Sequence, residues 1–259
     1  MTTFYDNVTI LLQGILHENI DLVDTLNVYT KICNVVLSVY KTDIEKVVKI
    51  CESFPRVIIM ENDIKDYEQI PLKIDREFNY LCPKIAQNGF FQICTTKKAL
   101  SAIHTEYVIK SRIDHFYSRI LKFIQYGLNI NKLLISSIYV RGCQNIYFPC
   151  KYHLSDCLFM GKTNDIKLCF DLCYNNRLLT LPELGIWKPY LIYTLKKRGV
   201  DTNIIDNDTY IKHMLELVDV YCVNKLQPYK IKLGANIQTY MDDKIKTTKE
   251  YLLYGCDCN

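Results

Sequence analysis

Val8-Thr9-Ile10-Leu11-Leu12-Gln13-Gly14 is a β-branched and aliphatic run that a glycine closes. Six apolar-rich residues with no alternation of polar partners read as a strand buried on both faces, as in a parallel sheet. The segment after it, 17–31, places Ile20, Val23 and Leu26 at three-residue steps with Asp21 and Asp24 between them, an amphipathic helix. Asn34–Tyr40 (NVVLSVY) reads as a second strand. Thr42 followed three residues later by Glu45 has the capping-box pattern and opens a helix to about Ser53, which Pro55 ends. Arg56–Met60 (RVIIM) is a third strand, leaving into Glu61-Asn62-Asp63. Strand–helix–strand–helix–strand at this spacing predicts an α/β fold with a mostly parallel central sheet flanked by helices.

Farther on, 64–88 has no clear period and reads as a connection that covers a ligand, and 89–102 reads as a helix. Glu106–Ile109 is a fourth strand. It runs straight into charge: Lys110, Arg112 and Asp114. Strand ends in open α/β sheets are where ligands sit. Basic groups there suit phosphate, and a carboxylate suits a hard cation. A solvated, ion-paired strand exit is the plainer reading of the same residues. His115–Tyr126 follows helical spacing, and Lys132–Val140 reads as a fifth strand. His153-Leu-Ser155-Asp156 breaks into an apolar strand stopped by Gly161. Asp156 is either a residue that satisfies backbone N–H groups or an acid beside Asp114. Asn164–Tyr174 reads as a helix. Leu181-Pro182-Glu183 opens another through Arg198, with Glu183 either a first-turn charge or a second acid at the cleft. Tyr210–Val223 reads as a helix, Tyr229–Leu233 as an edge strand and Met241–Leu253 as a terminal helix. One domain over 1–200, with a helical extension over 201–259 packed on it, is the expected organisation.

Composition excludes several classes. Hydrophobic residues at 49% and charged ones at 23% mark a globular chain. A formal charge of +4 over 259 residues is too small to indicate a nucleic-acid partner. There is no basic n-region with a small-residue cleavage site, and no apolar run reaches the length of a transmembrane helix. The chain is therefore expected to be cytoplasmic, and its cysteines, Cys256 and Cys258 in the tail included, to be free thiols rather than zinc ligands. No P-loop, no GxGxxG after the first strand and no GxSxG elbow occurs.

The ordered set LLQG (11–14), VVLSVY (35–40), RVIIMEND (56–63), FFQICTTKKAL (90–100), YVIKSRID (107–114), YHLSDCLFMG (152–161) and LPELGIW (181–187) resembles the WavE-type glycosyltransferase family. The likeness covers about residues 10–200. Lys110, Arg112 and Asp114 match that family's Lys-x-Arg-x-Asp. Ser155, Asp156 and Gly161 match its Ser-Asp strand, and Pro182 and Glu183 its Pro-Glu. The chain departs from the family at Ile15, at Ser38-Val39-Tyr40 and at Gly89–Gln92. The resemblance implies a GT-A, Rossmann-like fold. It implies transfer of a sugar from a nucleotide-diphosphate donor, a UDP-sugar first, to a glycan or other hydroxyl acceptor. It assigns Asp114 to Mn²⁺ or Mg²⁺, and Lys110 and Arg112 to phosphate or donor sugar. Gln13, Gly14 and Ser38 go to the nucleotide pocket, Asn62 and Asp63 to base or ribose, and Gln92 and Lys97 to the donor sugar. Asp156 is the acceptor-side acid, with Glu183 its rival as general base. A GT-A scaffold that binds nucleotide or glycan without turnover is the alternative; the oligomeric state stays open.

Overall fold

Alternation along the strands organises the molecule, because successive side chains point to opposite faces. The computed structural model describes residues 3–16, 21–68, 73–74, 83–144, 151–176, 178–179, 182–203, 205–226, 228–231 and 245–255. The first half runs β1 (Tyr5–Gln13), α1 (Leu22–Tyr29), β2 (Cys33–Tyr40), α2 (Ile44–Cys51), β3 (Val57–Asn62), a short α3 (Lys65–Glu68) and β4 (Lys73–Ile74), then α4 (Pro83–Leu100). β5 (Tyr107–Arg112), β6 (His115–Tyr117), α5 (Ile120–Leu128), β7 (Leu133–Ser136) and β8 (Leu158–Lys162) follow. The rest is α6 (Thr163–Asn176), β9 (Leu178–Leu179), α7 (Pro182–Lys197), α8 (Asn207–Leu217), β10 (Val218–Tyr221), β11 (Pro228–Ile231) and α9 (Thr248–Tyr254).

Seven strands form the central sheet in the order β10-β7-β8-β5-β1-β2-β3. All neighbours are parallel except β8, which runs antiparallel to both β5 and β7. On one face Ile10, Leu12, Val35, Leu37, Ile109 and Leu134 pack against α1 and α5 through Leu22, Leu26, Tyr29, Phe123 and Ile124. On the other, Leu11, Val36, Val108, Leu133, Ile135 and Phe159 meet α4, α6 and α7. This is a mostly parallel sheet flanked by helices with a helical C-terminal extension, the GT-A-like, Rossmann-like α/β architecture that the sequence predicts. Two small pairs stand apart from it, β4 with β9 and β6 with β11.

The departures have physical causes. The capping box at Thr42 and Glu45 does not form. A 3₁₀ turn, Lys41–Asp43, precedes α2, and Asp43 instead accepts from the Leu16 backbone N–H at 3.1 Å, tying down the loop after β1. The segment 132–140 is a strand only to Ser136: the Ser137 N–H makes the last rung to the Tyr221 carbonyl, and the Val140 N–H then turns back to the Ser137 carbonyl. His115–Tyr117 is extended rather than helical and pairs with β11. The helix expected over 210–223 ends at Leu217. The β-branched run Val218-Asp-Val-Tyr221 becomes β10, a parallel edge strand beside β7. The terminal helix begins at Thr248, where Thr247 and Glu250 make a true capping box; residues 241–244, like 17–20 and the Cys256–Cys258 pair, lie outside the described residues. Cys33, Cys51, Cys94, Cys143, Cys157, Cys169, Cys173 and Cys222 are free and buried. Among the described residues no helix is long and apolar enough to cross a membrane.

α9 docks on the chain that leaves β7. The N–H groups of Cys143 and Gln144 donate to the carbonyls of Leu252 and Leu253, and Tyr251 and Leu252 are buried in the main core. The C-terminal helix is thus expected to melt with the sheet. Thr247→Ala removes the cap, and equilibrium urea unfolding is expected to show a single transition with about 1 kcal/mol less stability; an unchanged midpoint would mean that α9 frays independently.

Candidate active site

The chain builds outward from β1 in two directions. It goes first through α1 to β2 and β3, then back through α4 to β5 on the other side of β1. α1 and α4 lie on opposite faces. The carboxyl ends of β1 and β5 therefore part around a crevice, the place where open α/β sheets bind ligands. A cleft of about 320 Å³ lies there, lined by Gln13, Gly14, Ile15, Tyr40, Asn88, Gln92, Arg112 and Asp114.

The same alternation that fills the core supplies the cleft. Thr9, Leu11 and Gln13 share the face that meets α4, as do Val36 and Ser38 on β2 and Val108, Lys110 and Arg112 on β5. Toward the strand ends this face turns from apolar to polar. Gly14 sits at φ +140°, a conformation that side chains rarely adopt, and a Cβ there would lie 3.3 Å from Ile113 Cγ2. Its N–H donates to the Ser38 carbonyl at 3.2 Å, while the Ile113 N–H donates to the Gln13 carbonyl at 2.9 Å, so all three strands stay joined to the lip.

Arg112 grips Asp114 through both prongs: Nε donates to Oδ1 at 2.8 Å and Nη2 to Oδ2 at 2.7 Å. Burial alone would push the Asp114 carboxyl up, but the guanidinium outweighs it and holds the carboxyl at about 2. The Arg112 side chain stays 32% exposed, whereas Asp114 is buried. His115 behind them, buried with Nδ1 at 2.9 Å from the Tyr117 hydroxyl, is pushed by burial down to about 3 and is neutral.

Antiparallel β8 starts where β5 ends, so the residues that enter it arrive beside the cleft. Ser111 pairs with Leu158 and Lys110 with Phe159, which sets Asp156 next to Lys110. Lys110 has no exposed surface; its Nζ donates to the Asp156 carbonyl at 2.7 Å. Burial lowers its pKa, opposed first by the Asp156 charge. Burial likewise pushes Asp156 up, but Lys110 and Arg112 together outweigh it and keep it ionised. Both Asp156 oxygens accept hydrogen bonds, Oδ2 from Gln92 Nε2 at 2.6 Å and Oδ1 from the Cys157 thiol at 3.6 Å. The loop that carries them is pinned by Trp187, whose Nε1 donates to the Ser155 carbonyl at 3.0 Å. Glu183, in the first turn of α7, has the opposite character. Its Oε2 is sealed from solvent without a hydrogen-bond partner, and burial, with the Asp156 charge, pushes its carboxyl up to about 8.

The other expected site residues divide. Gln13, Gly14, Gln92, Arg112 and Asp114 meet at the cleft, and Lys110, Asp156 and Glu183 stand behind it. Ser38 and Asn62 form an internal brace instead. Ser38 Oγ donates to the Thr95 carbonyl, and Asn62 Nδ2 donates to Ser38 Oγ and to the Val39 and Met60 carbonyls. The Tyr67 hydroxyl donates to Asn62 Oδ1. Asp63 pairs with Lys41 at 3.3 Å on the surface, and Lys97 turns to Asp171 at 3.1 Å and to the Tyr174 ring. Tyr40, Asn88 and Thr95 belong to the site and were not anticipated. Tyr40 shares its strand face with Ser38, and Thr95 stands one helical turn beyond Gln92, so each was within reach of the periodicity already used. The donor set does not fit a divalent metal at Asp114. Both its oxygens are taken by Arg112, and among the described residues no group of three or more His, Cys, Asp or Glu is placed to hold a metal ion.

No family model and no curated protein sequence matches the chain. Among solved structures it is similar to 4-diphosphocytidyl-2C-methyl-D-erythritol synthase from Anaerococcus prevotii, with 14% identity, a TM-score of 0.45, and 88% of this chain and 94% of that one covered. It is also similar to TarS from S. aureus (12%, 0.43), spanning 87% of this chain but 36% of TarS. A third likeness is to mouse xyloside xylosyltransferase 1 in its apo form (11%, 0.38, 85% of each). These likenesses are too distant to assign an activity.

Two outcomes test the electrostatics. Lys110→Met leaves the buried Asp156 carboxylate without its main counter-charge and is expected to cost about 3 kcal/mol in denaturant unfolding; adding Asp156→Asn should restore part of the loss. Glu183 binds its proton more tightly folded than unfolded, so stability is expected to fall as pH rises from about 4.5 to about 8. Glu183→Gln should flatten that slope in a pH series of melting temperatures, and an equal slope in the variant would contradict the assignment.

Proposed function

We propose that the chain is a glycosyltransferase that binds a nucleotide-diphosphate sugar, a UDP-sugar first, in the cleft between the ends of β1 and β5. The observation that carries the reading is the partly exposed Arg112 side chain, locked by Asp114, at the switch point of the sheet. A fixed cation there suits a diphosphate, both bound and leaving. A glycine lip at Gly14 allows close approach of a ligand to the backbone. The resemblance to the WavE-type family points to the same chemistry.

In the reaction so proposed, an acceptor hydroxyl oxygen bonds to the anomeric carbon as the bond to the diphosphate breaks. The leaving group's charge is met by Arg112, and the hydroxyl proton passes to a base. Asp156 suits the base better than Glu183, because it is ionised while the Glu183 carboxyl, pushed up to about 8, still holds its own proton; taking the proton would cost Asp156 one of its hydrogen bonds. With Asp114 engaged by Arg112, the charge compensation is assigned to the guanidinium and not to Mn²⁺ or Mg²⁺. One observation favours a binding scaffold without turnover: neither Asp156 nor Glu183 lines the cleft.

Calorimetric titration of UDP, GDP, CDP and ADP, with Mn²⁺ and with chelator, checks this. One nucleotide is expected to bind equally well in both conditions, and Arg112→Ala is expected to weaken it about tenfold or more. Release of UDP or its counterpart from the matching sugar donor then separates transferase from scaffold. Binding that requires Mn²⁺ and survives Arg112→Ala would overturn the assignment.

A further inference from the structure

The polar groups around the cleft are wired so that their hydrogen-bond directions are fixed. A carboxylate can only accept. Asp156, with Lys110 donating to its own carbonyl and the Cys157 thiol to Oδ1, therefore compels Gln92 to turn its NH₂ inward, and Nε2 meets Oδ2 at 2.6 Å. The Gln92 amide oxygen is left on the other side. A second relay does the same for Gln13. Thr95 Oγ1, which donates to the Gln92 backbone carbonyl at 3.1 Å and also meets the Tyr40 hydroxyl, accepts from Gln13 Nε2 at 3.0 Å. The Gln13 amide oxygen is also left over. Among the described residues neither Oε1 has a donor, and neither is among the side-chain atoms sealed from solvent without a partner. Both residues line the cleft. The wall thus shows two neighbouring acceptors, linked through one threonine. Arg112, which also lines the cleft, binds Asp114 through Nε and Nη2, and among the described residues Nη1 has no hydrogen-bond partner.

We propose that the two outward amide oxygens of Gln13 and Gln92 select the hydroxyl groups of a phosphorylated sugar, with Thr95 and Asp156 as positioning residues that hold the two amides in this orientation. Two acceptors call for donors in the ligand, and the adjacent cation calls for an anion. Neighbouring hydroxyls on a sugar that carries a diphosphate supply both. These hydroxyls belong either to the ribose of the nucleotide or to the transferred sugar. The inference rests on the cleft reading above, and it also gives Asp156 a task in which it touches no ligand: it sets a direction.

The test compares binding of matched ligands. One arm pairs UDP, GDP, CDP and ADP with their 2′,3′-dideoxy counterparts, and reads the ribose. The other pairs UDP-glucose with UDP-2-deoxyglucose, and reads the transferred sugar. Inorganic pyrophosphate, which has no hydroxyl on carbon, reads the Arg112 side alone. The wild type is expected to prefer the hydroxyl-bearing member of at least one pair by about three- to tenfold. Asp156→Asn lets the Gln92 amide turn either way, Thr95→Val frees Gln13, and Gln92→Met removes an acceptor from a partly exposed position. Each is expected to shrink that preference toward unity by more than it alters pyrophosphate binding. Equal affinity of the wild type for both members of every pair, or a preference that survives all three variants, would overturn the inference and leave the cleft intact. Failure of the wild type to bind pyrophosphate would overturn the cleft reading itself, and this inference with it.

Discussion

A lysine ammonium sealed inside the sheet sets the terms for everything around it. Lys110 occupies a position on β5 whose neighbour on the same face, Val108, is core. An unpaired charge there would be prohibitive, so the chain brings it partners: the Asp156 carbonyl in contact, the Asp156 carboxylate nearby and the Phe159 ring 5.8 Å away. Asp156 in turn is satisfied by Gln92 and Cys157, and Gln92 is one wall of the cleft. Such a buried pair adds little net stability compared with a well-packed apolar pair. What it does here is fix which way side chains at the cleft face.

Topology decides that these groups meet. β8 is the one antiparallel strand of the sheet, and its start therefore lies beside the end of β5. Had it run parallel, Asp156 would stand at the far end of the sheet. α4 crosses between the two halves and carries Gln92 and Thr95 over the ends of β1 and β2, while α7 holds the Ser155 carbonyl through Trp187. The cleft is thus assembled from four separate stretches, 13–15, Tyr40, 88–92 and 112–114.

What could be read in advance follows from local pattern. β1, β2, β3 and β5 were legible because short continuous apolar runs bounded by Gly, Pro or charge have few other uses. The cluster at Lys110, Arg112 and Asp114 stood out because charge follows a buried strand without a break. The inner roles of its members were not legible. Whether an aspartate faces a metal or an arginine two residues away depends on the turn at Ile113, which no periodicity describes. Nor was the pairing of Asp156 with Gln92, 64 residues apart, since it needs the direction of β8. The helix over 210–223 failed because Val218 and Tyr221 continue the helical spacing of Tyr210, Ile211, Met214 and Leu217, while the empty edge of β7 offers β10 a better partner. Asn62 looked like a ligand at a strand end, yet all its hydrogen-bonding capacity is spent inside the protein.

The central claim is that an anionic ligand sits on Arg112 at the ends of β1 and β5. A crystal structure of the chain soaked with a nucleoside diphosphate tests it most directly. The account predicts the diphosphate within hydrogen-bonding distance of the Arg112 guanidinium, beside Gly14, with sugar hydroxyls toward Gln13 and Gln92. Density instead at the opposite end of the sheet, in the smaller cleft near Lys132, Lys162 and Arg198, would contradict it.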